Sequence, residues 1–118
     1  MQSKLFKKLV ENKITKVDFG WTIFDIRFEK KLLVDGEECY GNSDFDKKEI
    51  VLDENLQSGR DREILLHELT HIVLETMGLG EGLKSKVDNE SLTYQISRGF
   101  TLIYNLNKEL FKIIYDND

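Results

Sequence analysis

The sequence predicts an α+β fold. A small sheet of three or four strands, mixed or antiparallel, should pack on a central helix, with a short N-terminal helix before it and a long C-terminal helix after. Three observations predict this. Apolar residues at positions 5, 6, 9 and 10 follow a helical spacing, those between 16 and 52 alternate or cluster in β-rich runs, and those from about 60 onward step by three and four. At 118 residues the chain fits one domain spanning 1–118, long enough to bury a core and with no room for a second.

Each element has its own warrant. Leu5, Phe6, Leu9 and Val10 form the apolar side of a short amphipathic helix with lysines opposite. In "WTIFDIRFE", Trp21, Ile23, Asp25 and Arg27 alternate with Thr22, Phe24, Ile26 and Phe28, as in a strand with one buried face. Leu32 to Val34 is a second, short strand ending at an Asp35-Gly36 turn. "CYGNSDF" and "EIVLD" flank Asp46-Lys47-Lys48 and predict a hairpin. Ser58 and Asp61 approximate a capping box. The helix that follows is apolar at Ile64, Leu65, Leu66, Leu69, Ile72, Val73 and Met77 and stops at Gly78. After a glycine-rich loop, Asp88 is a candidate N-cap. From there one stripe runs through Leu92, Ile96, Gly99, Ile103, Leu106, Leu110 and Ile113, predicting a single long helix. Trp21, Phe24 and the other aromatics read as core.

Hydrophobic residues make up 40% and charged residues 33% of the chain, which places it among folded sequences. A net charge of −5 without a basic stripe argues against a nucleic-acid or anionic-membrane surface. Cys39 is the only cysteine, so no intrachain disulfide and no cysteine zinc cluster is available; its expected place is in a strand. The charged N-terminus lacks the apolar run of a secretory signal, and no segment approaches the roughly 20 apolar residues of a membrane span. A cytoplasmic location is expected.

The chemistry lies in "LLHELTH". Both histidines of the chain, His67 and His71, stand four apart, with Glu68 directly after the first. Two histidines placed at random in this chain would be four apart roughly once in sixty cases, and requiring the glutamate makes the coincidence several times rarer still. Residues four apart share one helix face, so both rings can turn a nitrogen to one metal at about 2.0–2.1 Å. Glu68 is about 100° further round the helix, beside the metal rather than on it. A zinc held by three protein ligands lowers the pKa of its water to about 7, and a neighbouring carboxylate can take the proton as that water attacks a carbonyl. An ordinary helix that happens to carry two histidines explains none of this.

Two histidines leave the site one protein ligand short, and a carboxylate must complete it. Glu75 lies one more turn along the same helix, and three turns of one straight helix cannot surround a metal. Glu81 and Asp88 lie in or at the end of the loop, and Glu90 in the first turn of the next helix. Glu90 is preferred because a helix is a firmer mount than a glycine-rich loop, although an acid in a first turn also complements the helix dipole.

His67-Glu68-Leu69-Thr70-His71, followed by Asn89-Glu90-Ser91-Leu92-Thr93 nineteen residues beyond the second histidine, resembles the gluzincin arrangement, in which a glutamate on a following helix is the third zinc ligand. The small size and the strands before the motif are similar to compact ImmA/IrrE-type metallopeptidases of bacteria, phages and mobile elements. The resemblance covers roughly 49 to 100. It implies a zincin-like fold with a small sheet on the active-site helix and an edge strand beside the cleft for substrate backbone. It also implies zinc as cofactor and a protein or peptide as substrate. Thermolysin-like members carry an aspartate four residues after the ligand glutamate, where this chain has Tyr94, and the place of a metzincin's third histidine is Met77. No spare histidine remains to stabilise an oxyanion, which leaves Tyr94 and Arg98 as candidates. The expectation is a zinc metallopeptidase, an endopeptidase, with ligands His67, His71 and Glu90 and general base Glu68. Its rivals are a zincin-fold binding module that keeps zinc without cutting, and a structural zinc domain.

Overall fold

The computed structural model describes residues 3–57, 60–78 and 89–115, with the side chains of 89–91, 93 and 94 excepted. The chain opens with α1 (Lys4–Glu11), capped by Ser3, whose hydroxyl oxygen accepts from the Phe6 amide at 2.9 Å. Leu5 and Leu9 are buried, as the spacing predicts, whereas Val10 is 60% exposed. It lies outside the buried arc because so short a helix packs only a narrow stripe.

β1 (Lys16–Asp18) and β2 (Ile23–Glu29) form an antiparallel pair. Phe24 and Ile26 are buried while Ile23, Asp25 and Arg27 face out, so the predicted alternation holds. The strand starts two residues later than the pattern suggests. The expected core place of the aromatics is corrected at Tyr40, Phe45, Tyr104 and Tyr115, all exposed, and at Trp21, which falls in the preceding turn and is exposed too. Its ring is held at the surface instead, with the indole N–H donating to Thr76 Oγ1 at 2.7 Å and the Lys48 ammonium 5.6 Å from the ring centre.

β3 (Leu33–Val34) and β4 (Glu37–Glu38) make a separate two-stranded hairpin. Asp35 and Gly36 both take positive φ between them, 53° and 82°, as a tight two-residue turn demands. β5 (Gly41–Asp44) and β6 (Glu49–Asp53) are antiparallel around a turn at 45–48, one residue longer than the predicted Asp46-Lys47-Lys48. The Asp44 carboxylate closes that turn by accepting from the amides of Asp46 and Lys47. The main sheet has the order β1-β2-β6-β5, with β2 and β6 parallel and the other neighbours antiparallel. It is therefore a four-stranded mixed sheet with β5 on one edge.

α2 (Arg60–Thr76) packs across the β5–β6 side of this sheet. Leu65, Leu69, Ile72 and Val73 bury against Phe24, Ile50 and Leu52. The predicted cap residue Ser58 lies outside the described residues. Asp61, its expected partner, is buried and accepts from the Leu5 amide at 3.0 Å and the Arg62 amide at 2.8 Å, tying the start of α2 to the start of α1. Gly78 ends the helix with φ 74°, and its N–H donates to the Glu75 carbonyl, as its place in the sequence predicts.

The long C-terminal helix is two helices. α3 (Asn89–Leu106) and α4 (Lys108–Ile114) break at Asn107. The Asn107 amide accepts from the Asp18 N–H at 2.9 Å and donates to the Asp18 carbonyl at 2.7 Å and to the Ile103 carbonyl at 2.8 Å. A side chain that satisfies the free backbone of edge strand β1 pulls its own backbone out of the helix (φ −138°, ψ 46°). The break redirects the stripe: Ile103, Leu110 and Ile113 are buried, and Leu106 is exposed. The loop expected after Gly78 and the candidate cap Asp88 lie outside the described residues. No helix among the described residues is long and apolar enough to cross a membrane.

Candidate metal centre

α2 carries His67, Glu68 and His71 in its middle, where core packing on both sides fixes the helix. The two histidines are exposed and turn toward one another. Their ring centres lie 4.6 Å apart at 83°, and the two Nε2 atoms are 3.0 Å apart. A tetrahedral cation about 2.05 Å from each nitrogen requires a separation of about 3.3 Å. The pair is thus within a few tenths of an ångström of the bite, and at this distance one neutral ring donates an N–H to the other when no cation is held between them. The donor set fits a borderline metal such as zinc.

Glu68 points a different way. It is 7% exposed, one of two buried charged residues among those described, and it faces β5 rather than solvent. The Ser43 hydroxyl donates to Glu68 Oε1 at 2.7 Å. Gly41, two residues before Ser43 and on the same face of the strand, makes the approach possible. A Cβ there would lie 2.8 Å from Ile64 Cγ2 and 3.3 Å from Glu68 Cγ. Neither Ser43 nor Gly41 stands out in the sequence. Their shared two-residue spacing in a glycine-containing strand was the available signal.

Cys39 follows β4 rather than lying within a strand, which corrects its expected place. It is also nearer the motif than its position in the chain suggests. Burial pushes its thiol pKa up, and the negative charges of Glu68 and Asp53 add to the shift.

The remaining candidates divide by location. Glu75 is exposed one turn beyond His71. Glu81 and Asp88 lie outside the described residues. Glu90 sits in the first turn of α3, as predicted, and Tyr94 one turn later, but the side chains of both are outside the description. α3 meets α2 closely at Gly99, where a Cβ would lie 2.7 Å from Val73 Cγ1 and 2.9 Å from Met77 Cγ. Glu90 is nine residues upstream, about 13 Å along the helix, so this contact does not itself carry Glu90 to the histidines. Arg98 is exposed and lines a groove with Met77, Thr101 and Leu102. Among the described residues, no third histidine, cysteine, aspartate or glutamate joins the pair in a metal-binding group. Comparison of the chain with protein-family models, curated proteins and solved structures finds no match.

Proposed function

We propose that this chain is a zinc-dependent metallopeptidase with a zincin-like fold, acting on protein or peptide substrates in the cytoplasm. The observation that carries the proposal is the pairing of two converged imidazoles with a buried, hydrogen-bonded glutamate between them in sequence. A structural metal site has no use for that glutamate. His67 and His71 are the two histidine ligands, and Glu90 is the proposed third, with Glu81 and Asp88 as the alternatives. Zinc, when bound, would supply the Lewis acid that polarises the scissile carbonyl and acidifies a water. Glu68 takes the proton of the attacking water and returns it to the departing amine. The free edge of β5, running beside α2, is suited to receive an extended substrate backbone as an added strand. Tyr94 is the proposed donor to the developing oxyanion.

Protease profiling tests this. The zinc-loaded wild type should cut members of a fluorogenic peptide library. Glu68→Gln should retain one zinc per chain and lose hydrolysis by on the order of 10² or more, the usual worth of a positioned acid–base group. Zinc bound with no cleavage anywhere in the library would favour a binding module. Loss of zinc in Glu68→Gln would make Glu68 a ligand.

A further inference from the structure

We infer that Ser43, on edge strand β5, is the positioning residue for Glu68, an assignment of purpose that rests on the metallopeptidase reading above. The contact is specific. Ser43 Oγ is 2.7 Å from Glu68 Oε1, and no other hydrogen bond reaches the Glu68 side chain among the described residues. One carboxylate oxygen is therefore held by the strand while Oε2 is left to meet a water.

The backbone is arranged around this contact. Gly41 brings β5 against α2 at Ile64 and Glu68, a distance that any side chain at 41 would increase. Ser43 is the next residue on that face, opposite Ile50 of the buried strand β6. A buried strand on one side and a core helix on the other leave the hydroxyl little freedom. Without Ser43, a 7% exposed carboxylate would lose its one partner and be free to swing toward solvent or toward the histidines. As a free carboxylate it would compete with water as a ligand; held by Ser43, it serves as a base. The edge strand proposed to receive the substrate thus also orients the group that serves the reaction, so the two are in register.

The test has two arms. In metal-free protein, a double-mutant cycle by urea denaturation measures the coupling between positions 43 and 68. Ser43→Ala should raise the unfolding equilibrium constant about tenfold in the wild-type background, as for loss of a hydrogen bond to a charged group, and less than about twofold in Glu68→Ala. An equal effect in both backgrounds overturns the inference whether or not the protein is a peptidase. In the zinc-loaded protein, with a library peptide that the wild type cuts, Ser43→Ala should lower kcat about tenfold with KM and zinc content unchanged, and Ser43→Thr should restore most of it. An unchanged kcat, or a Thr variant no better than the Ala variant, also overturns it. If the wild type cuts nothing, the peptidase reading fails separately. The coupling measurement then still decides whether Ser43 holds Glu68.

Discussion

Glu68 and Asp61 are the two acidic side chains buried among the described residues, and each is buried for a different reason. Asp61 spends its charge on structure, since it accepts the Leu5 amide at the start of α1, where the helix dipole favours a negative partner. Asp61→Ala would leave that N–H without its partner in a dry site. The variant should lose about 1–3 kcal/mol in urea denaturation. Among the described residues Glu68 has one hydrogen-bond partner, the neutral Ser43 hydroxyl, which suits the proton exchange proposed for it. Cys39 offers a check on the same neighbourhood. Its raised pKa means that the folded state holds the thiol proton more tightly than the unfolded state does. Any stabilisation from this is complete below the unfolded pKa, about 8.5, and is lost as pH rises through the folded value. Alkylation by iodoacetamide should accordingly be slower in the folded protein than in urea at pH 8.5, with the midpoint of the rate profile shifted upward. Equal rates and midpoints would show that Cys39 is neither buried nor close to the charges of Glu68 and Asp53.

Among the elements, close approaches set the positions of the helices. Gly99 seats α3 against Val73 and Met77 of α2. Gly99→Ala gains up to about 1 kcal/mol of helix propensity but forces a methyl into buried Val73, an overpacking cost of about 1–3 kcal/mol. A net destabilisation of about 1–2 kcal/mol is expected in urea; a more stable variant would mean that α3 does not pack there. The elements also show what periodicity can and cannot reveal. The hairpin around 45–48 and the alternation of Phe24 and Ile26 were legible because strand faces repeat every two residues and turn chemistry is local. The break at Asn107 was not, because its cause is a pair of hydrogen bonds to Asp18, 89 residues away. In the stripe from Leu92 to Ile113, Asn107 occupies a position that apolar spacing ignores. The same limit divides the site: His67, Glu68 and His71 lie within five consecutive helical residues and can be read locally, whereas Ser43 reaches Glu68 across 25 positions. Asn107→Ala should cost about 1–3 kcal/mol by leaving the Asp18 amide unpartnered.

At the scale of the whole molecule, a four-stranded mixed sheet carries α2 on its β5–β6 side, α1 packs against both α2 and α4, and the histidines stand on the exposed side of α2. A metal at that position binds the folded chain and not the unfolded one, so it must stabilise the fold. Zinc at a hundred times its Kd should add about 2.7 kcal/mol to the unfolding free energy of the wild type and nothing measurable to His67→Ala or His71→Ala. The central claim, that a single zinc sits on the two histidines of α2, is tested most directly by zinc K-edge X-ray absorption on the stoichiometrically loaded protein. The chain contains only two histidines and one cysteine, so a count of imidazoles identifies the ligands without a crystal. The account predicts two imidazole nitrogens at about 2.0–2.1 Å, oxygen ligands completing the shell, and no sulfur at about 2.3 Å. Fewer than two imidazoles, or a thiolate sulfur at about 2.3 Å, which only Cys39 could supply, would contradict it.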